Sequence, residues 1–346
     1  MKTDLNDYTI YIADKTGKRR RYSKPLYTTQ LGEMYCALSE KLLTHKLFQE
    51  KYKGKIQLIF TSPPFPLNAK KKYGNLTGEK YIKWLARFAQ LFTDYLTDDG
   101  SIVIEIGNAW EPGKPVMSTV VIKSLLKFLE KGDLNLCQEF VWYNPAKLPS
   151  PVQWVNVERI RVKDSFTKIW WMSKTEKPKA DNRRVLKEYS KSMKDLIKNQ
   201  KYNAGKRPSA HKIGEKSFLK NNKGAISPNV INGDYVETLT NILKGSNTGA
   251  IDSYQKYCRD NSIPAHPARM PNCLAEFFIK FLTDENDIVL DPFAGSNTTG
   301  HTAETLNRKW VSIEANWDYA PHSLSRFPIE SVTATGKEIF FYSENE

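Results

Sequence analysis

Apolar residues along this chain fall into short runs of β character separated by stretches of helical period. Residues 56–60 are largely apolar and stop at Thr61-Ser62-Pro63-Pro64, which predicts a buried strand ending in a rigid loop. Tyr81, Trp84, Leu85, Phe88, Leu91, Phe92, Tyr95 and Leu96 recur at helical spacing, and Asp98-Asp99-Gly100 closes that helix. The pattern then predicts a strand over 101–107, a helix over 116–130 with Gly132 just past its end, and strands over 140–143 and 166–173. Late in the chain a helix (273–282), a strand (287–291), a helix (298–307) and a strand (310–314) follow one another. Alternation of this kind predicts an α/β domain on a mostly parallel sheet with helices on both faces. No internal repeat is visible.

Between about 175 and 260 the alternation fails, and the segment reads as one outside the sheet. Basic residues crowd it from Lys187 to Lys223, opposed there only by Glu188, Asp195 and Glu215. The whole chain of 346 residues carries 52 Lys and Arg against 38 Asp and Glu, a net charge of +14. Such a balance suits a polyanionic partner; a solvated charged insertion is the alternative that charge alone leaves open. The 40% hydrophobic content is ample for a core. No apolar run is long enough for a membrane span, and the first residues lack a signal-peptide pattern, so a cytoplasmic protein is expected. Cys36, Cys137, Cys258 and Cys273 have neither CxxC spacing nor a histidine at zinc-ligand spacing, which predicts reduced thiols and no metal.

Two motifs carry chemistry. The first, Asp291-Pro292-Phe293-Ala294-Gly295-Ser296-Asn297-Thr298-Thr299-Gly300, follows a strand and opens a helix. Gly295 permits close backbone approach of a ligand, and the helix start offers unpaired N–H donors. Glu314 ends the next strand, where a nucleotide-binding α/β unit places its acid for ribose hydroxyls. A tight strand–helix connection is the plainer reading of the glycine turn alone; no Gly-Lys-Ser/Thr follows, so ATP is disfavoured. The second motif is Ser62-Pro63-Pro64-Phe65. Consecutive prolines fix φ and remove two donors, leaving carbonyl acceptors at a strand end beside a hydroxyl and a flat ring. An exocyclic amino group, whose lone pair is delocalised into its ring, becomes nucleophilic when acceptors hold its N–H bonds, and Phe65 can stack on a base swung out of a duplex. An ordinary proline turn is the competing reading.

A Ser-Pro-Pro-Phe strand end followed far downstream by a Phe-x-Gly-Ser-x-Thr-Thr-Gly loop resembles the β-class amino DNA methyltransferases. The likeness extends to Lys71-Lys72-Tyr73-Gly74-Asn75, to the block from Trp142 to Pro151, to Trp154-Val155-Asn156 and to Ile160-Arg161-Val162-Lys163-Asp164. It continues through Trp170-Trp171, Arg207-Pro208-Ser209 and His266-Pro267-Ala268-Arg269. Together these resemble the cytosine-N4-specific enzymes of the PvuII restriction–modification type from about Tyr27 to Phe327. The resemblance implies a Rossmann-like, S-adenosylmethionine-dependent methyltransferase fold, circularly permuted so that the catalytic half comes first and the cofactor loop lies near the C-terminus. It implies a catalytic half over 27–174, a basic target-recognition region over 175–260 and a cofactor-binding half over 261–330. Ser62 and the Pro63 carbonyl would hold the target amino group, with Pro64 rigidifying the loop and Phe65 stacking on the base. Glu105 would accept the proton lost after methyl transfer. His266, Arg269, Asp291, Phe293, Gly295, Ser296, Asn297 and Glu314 would surround S-adenosylmethionine, and Lys206, Arg207, Lys212 and Lys216 would meet double-stranded DNA. A monomer with a companion restriction endonuclease acting on the same site is the family expectation.

One departure stands out. Relatives carry a Gly-Asp pair upstream of the Ser-Pro-Pro-Phe strand, and the matching stretch here, Met34-Tyr35-Cys36-Ala37-Leu38-Ser39, puts Leu38 in place of the acid. Glu33 is the candidate to compensate, and weakened cofactor affinity is the expectation without it. Adenine-N6 enzymes share the fold but commonly carry Asp where Ser62 stands. C5 methylation needs a nucleophilic cysteine, usually after proline, and none of the four cysteines follows one. A catalytically silent DNA-binding homologue would have a damaged motif, whereas both motifs are intact.

Overall fold

The computed structural model describes residues 25–67, 75–200, 205–206, 208–209, 212–214, 218–232, 253–328 and 331–334. Its strands are β1 (Tyr27–Thr28), β2 (Gly32–Cys36), β3 (Ile56–Thr61), β4 (Leu96–Gly107), β5 (Asn135–Tyr143), β6 (Phe166–Ser173), β7 (Gly205–Lys206), β8 (Lys212–Ile213), β9 (Val230–Asn232), β10 (Ile288–Asp291), β11 (Lys309–Glu314) and β12 (Thr333–Ala334). All but β7 and β8 join one sheet in the order β12-β1-β2-β11-β10-β3-β4-β6-β5-β9. The five central strands β2, β11, β10, β3 and β4 are parallel neighbours, so their carboxyl ends share one edge. That edge is where open α/β sheets bind ligands.

Helices α1 (Ser39–Leu43), α2 (Lys46–Tyr52), α3 (Gly78–Tyr95) and α4 (Val120–Gly132) cover one face, and α7 (Asn272–Leu282) and α8 (Thr298–Thr305) the other. The remaining described α-helices are α5 (Lys191–Asn199) and α6 (Ser253–Asp260). Helix α3 forms because its apolar residues recur at three and four; Tyr81, Leu85, Phe88, Phe92 and Tyr95 are all buried. Burial of side chains of this size contributes about 1.5–3 kcal/mol each.

The sheet is mixed rather than mostly parallel beyond its centre. Strand β6 runs antiparallel to β4 and β5 antiparallel to β6, because the β5–β6 connection holds only a five-residue π-helical turn (Gln153–Val157) and no α-helix packed on the sheet to supply a crossover. Two expected boundaries also move. Helix α3 ends at Tyr95, and Leu96 already pairs with Ile56; residues 97–100 bulge out of β4, held by Thr97 Oγ1 donating to Gln57 Oε1 (2.9 Å) and Gln57 Nε2 donating to the Asp99 carbonyl (3.2 Å). Helix α4 starts at Val120 because a bridge between Trp110 and Met117 takes the preceding residues. Nor does the basic 175–260 segment lie wholly outside the sheet: β9 adds to its edge beside β5. Three residues are too short a run to announce a strand. Near the end of that segment, the Tyr254 ring of α6 lies under the Arg326 guanidinium (5.2 Å), and its hydroxyl accepts from the His266 N–H (3.0 Å).

No described helix is long and apolar enough to cross a membrane. Among the described residues no group of three or more His, Cys, Asp or Glu could hold a metal ion.

Candidate active site

At the carboxyl edge of the parallel strands, the loop after β3 and the loop after β10 come together. Asp291, the last residue of β10, is buried, and its Oδ1 accepts from the Thr61 hydroxyl (2.7 Å) and the Phe293 N–H (3.1 Å). Its Oδ2 accepts from the Thr299 hydroxyl on α8 (2.6 Å). Burial pushes the carboxyl up to about 6 against those hydrogen bonds. Asp291 therefore joins the two motif loops and the first turn of α8, with both oxygens committed to the protein.

Next along this edge, Glu105 near the end of β4 is 6% exposed. Its Oε1 accepts from the Thr167 hydroxyl (2.8 Å), and the Ser62 hydroxyl also donates to it. Burial raises its proton affinity; the hydrogen bonds from Thr167 and Ser62 and the Lys147 charge act in the opposite direction. Thr167 reaches it because Gly107 pairs with Thr167 across the β4–β6 ladder, two places beyond Glu105 on the same face. Lys147 is itself held, its ammonium 3.1 Å from an Asp164 oxygen and within reach of the Phe166 carbonyl (3.4 Å). Asn108, buried after β4, donates to the other Asp164 oxygen (2.8 Å). Phe65 lies half-buried on the backbone of Gly107; a Cβ there would stand 2.4 Å from the ring, so glycine makes room for it. Pro63 is buried, while Ser62 and Pro64 are half-exposed.

The β10–α8 loop forms the second half of the site. Gly295 adopts φ +54°, and its N–H donates to Glu314 Oε2 (2.8 Å) at the end of β11. Glu314 Oε1 accepts from the Asn316 N–H (2.7 Å). Burial raises the Glu314 carboxyl to about 7, with the Asp291 charge adding to the rise and the backbone donors opposing it. His266 lies over the glycine, its Cε1 3.1 Å from where a Gly295 Cβ would stand, and packs edge-on against Tyr319 (4.5 Å). Burial lowers its pKa to about 4, and the charge of Arg269 lowers it further, so the ring is neutral at pH 7. Phe293 packs against Trp84 (5.6 Å) and Phe88 (5.1 Å) of α3.

Ser296 and Asn297 turn inward. Arg326 donates to the Ser296 carbonyl (2.5 Å) and hydroxyl (3.0 Å). Asn297, in the left-handed region at φ +57°, caps α8 by accepting from the Gly300 N–H (3.2 Å) and donates to the Tyr27 hydroxyl (3.0 Å). Their side chains brace the loop from within.

The turn after β2 completes the rim. The Ala37 N–H donates to the Glu314 carbonyl (3.0 Å), and the Ser39 hydroxyl donates to the Pro292 carbonyl. Leu38 thus stands beside the glycine loop, 46% exposed. Glu33 is not available to compensate for it. It pairs with Val311, three places before the Cys36–Glu314 pair, and its carboxylate accepts from Tyr35 (2.6 Å), Tyr52 (2.6 Å) and Lys51 (2.5 Å). Against the cost of burial, those donors hold its carboxyl below the usual range. Cys36, Cys258 and Cys273 are buried, and burial, with the Glu314 charge, pushes the Cys36 thiol well up, the opposite of an activated nucleophile.

Thr167, Lys147, Asp164, Trp84, Tyr319 and Arg326 joined the site only through the fold; Lys147 and Asp164 lay unassigned within blocks already noticed in the sequence. Of the expected DNA contacts, Arg207 and Lys216 lie outside the described residues, while Lys206 and Lys212 are backbone register partners in the β7–β8 pair.

Comparison with known proteins identifies the family. The N6/N4 family model described as DNA methylase matches residues 56–325. The type II methyltransferase M.PvuII of Proteus hauseri is 43% identical over 306 residues, 88% of this chain and 86% of the relative. M.ScaI of Streptomyces caespitosus is 28% identical over 311 residues, 87% of this chain and 86% of the relative. The solved structure of the PvuII cytosine-N4-specific DNA methyltransferase superposes with a TM-score of 0.67 at 35% identity, covering 92% of this chain and 93% of that one.

Proposed function

This chain belongs to the N6/N4 family of DNA methylases, and from that premise we propose that it methylates N4 of a cytosine at a specific site in double-stranded DNA, as the modification enzyme of a restriction–modification system. The observation that carries the reading is the Ser62–Glu105 hydrogen bond at the ends of adjacent strands, tied through Thr61 and Asp291 to the Gly295 loop. An amino acceptor and a ligand loop are thereby built into one edge.

The residues at the glycine loop fit S-adenosylmethionine. Gly295 leaves open, under His266, a space that a Cβ would fill, and Glu314 stands at the strand end suited to ribose hydroxyls. Phe293 and Trp84 supply a flat apolar wall. When bound, the cofactor supplies an electrophilic methyl group. Ser296, Asn297 and Asp291 shape the loop rather than face it, and burial, aided by the Arg269 charge, keeps His266 neutral beside it.

The chain's own part in the chemistry follows. The Ser62 hydroxyl donates a hydrogen bond to Glu105, which leaves its oxygen lone pairs to accept an N–H of the target; the Pro63 carbonyl accepts the other. Held so, the amino nitrogen pyramidalises and its lone pair is released from the ring. Phe65 stacks on the extruded base, and Pro64 limits the loop's freedom. Ionised Glu105 takes up the proton that the methylated nitrogen sheds, directly or through water. The hydrogen bonds from Thr167 and Ser62, and after them the Lys147 charge, oppose the rise in proton affinity that burial gives Glu105.

The chain order, catalytic strand before cofactor loop, is read as the permuted arrangement. Within 175–260, lysine and arginine on phosphates and a few polar side chains on base edges would select the site. A companion endonuclease and action as a monomer belong to the same reading. Incubation with mixed-sequence duplex DNA and S-adenosylmethionine, followed by digestion and mass spectrometry of the nucleosides, should yield N4-methylcytosine. N6-methyladenine instead would overturn the assignment of the target base, and neither product, with cofactor binding intact, would mean a silent homologue.

A further inference from the structure

The connection between β5 and β6, residues 144–165, does not fold back onto the core. Its base is closed: the Asn144 N–H donates to the Ser165 carbonyl (2.8 Å), Lys147 pairs with Asp164, and Lys163 Nζ donates to the Pro145 carbonyl (2.7 Å). Arg161 Nε donates to the Pro115 carbonyl (2.7 Å), which fixes this strap against the loop after β4. Beyond those ties its aliphatic side chains face water. Leu148 is 79% exposed and Val162 88%, and Val152, Val157 and Ile160 are also exposed. Single exposed aliphatics need no explanation, but a run of them on one anchored strap does. They alternate with the exposed cations Arg159, Arg161 and Lys163, while Glu158 is engaged by Gln153 (2.9 Å).

Apolar side chains set among positive charges suit a partner with phosphates outside and stacked rings inside. The placement is equally specific. The strap leaves the sheet at the edge that bears Ser62, and the Lys147 charge acts on Glu105. Leu148 follows Lys147 directly, with its Cα about 3.8 Å further on. The exposed Leu148 therefore neighbours the pocket that must receive an extruded base. Extrusion leaves a gap in the stack, and an aliphatic side chain entering it offsets part of the unstacking cost.

We propose that the 144–165 strap is the duplex-opening element of this enzyme: Leu148 enters the stack at the step vacated by the target, while Arg159, Arg161 and Lys163 hold the flanking phosphates. The proposal rests on the DNA methyltransferase reading above and adds to it the residues that pay for extrusion.

The test uses the full-length protein and an oligonucleotide duplex carrying the site that the wild type methylates. The duplex is prepared fully paired and with an abasic position opposite the target, where extrusion needs no unpairing. Leu148→Ala should lower kcat/KM on the paired duplex by about tenfold or more, and on the abasic duplex by no more than about twofold. Calorimetry should show its S-adenosylmethionine affinity unchanged, and Leu148→Phe, which restores an apolar wedge, should recover most of the activity on paired DNA. Wild-type activity of Leu148→Ala on paired DNA, or an equal loss on both duplexes, overturns the proposal. Failure of the wild type to form N4-methylcytosine in mixed-sequence duplex DNA, the step that identifies the site, overturns the functional reading, and the proposal with it.

Discussion

Glu314→Gln, combined with a pH titration of the wild type, separates the charge of this side chain from its shape. In the structure its carboxylate accepts from the Gly295 and Asn316 amides, yet burial and the Asp291 charge still raise it to about 7. A hydroxyl donating to an ionised carboxylate contributes about 1.5–3 kcal/mol, against about 0.5–1.5 kcal/mol for a neutral acceptor. The Gln variant should therefore lose about 1–2 kcal/mol, or roughly tenfold in S-adenosylmethionine affinity. The sign with pH follows from the same group. With a midpoint near 7, about a tenth of the carboxyl is ionised at pH 6 and about nine-tenths at pH 8. With the protonated form binding about tenfold more weakly, as the Gln variant does, apparent affinity should rise about fivefold from pH 6 to pH 8. Isothermal titration calorimetry at pH 6, 7 and 8 reads this directly. The ligand's own amine titrates alike with both proteins, so the difference between wild type and Gln variant isolates Glu314. Superimposable pH dependences for the two proteins would refute the assignment.

Four further outcomes are expected. Glu105→Gln should cut turnover by about 10²–10⁴-fold with cofactor affinity unchanged, while Lys147→Met, which removes the charge opposing the effect of burial, should move the acid limb of kcat to higher pH; an unmoved limb in single-turnover profiles would exclude Lys147 from this role. Gly107→Ala places a methyl group 2.4 Å from a Phe65 ring carbon, so the ring must move, and steady-state kinetics should show about a tenfold loss in kcat/KM for DNA with cofactor affinity retained. Asp291, raised to about 6 from an ordinary 3.8, takes up a proton on folding, so its contribution to stability is present below about pH 4 and is lost as pH rises to about 6; Asp291→Asn should flatten denaturant-measured stability over that window by roughly 3 kcal/mol.

Periodicity and punctuation made much of this protein legible. The apolar run before Ser62, the spacing of α3 and the strand–loop–helix around Gly295 are local properties, set by side-chain period, proline and glycine. They placed Ser62, Glu105, Gly295 and Glu314 at strand ends before any fold was seen. Other features had no local signal. Strands β1, β9 and β12 span two or three residues and exist only because an existing edge offers hydrogen-bond partners. The antiparallel pairing of β6 with β4 brings Thr167 to Glu105 across a separation of 62 residues. Glu33 shows the reverse limit: its position beside the motif made it a candidate, but three donors around it assign it to the scaffold.

By itself, then, the amino-acid order determined which residue types stand at which strand ends, because backbone preference and apolar period act over a few residues. Only the tertiary structure decided which of those residues meet and in what protonation state. Asp291 and Glu314 are ordinary acids in the chain; the packed sheet edge buries them, binds one to Thr61 and the other to Gly295, and raises both, since desolvation is a property of the whole fold.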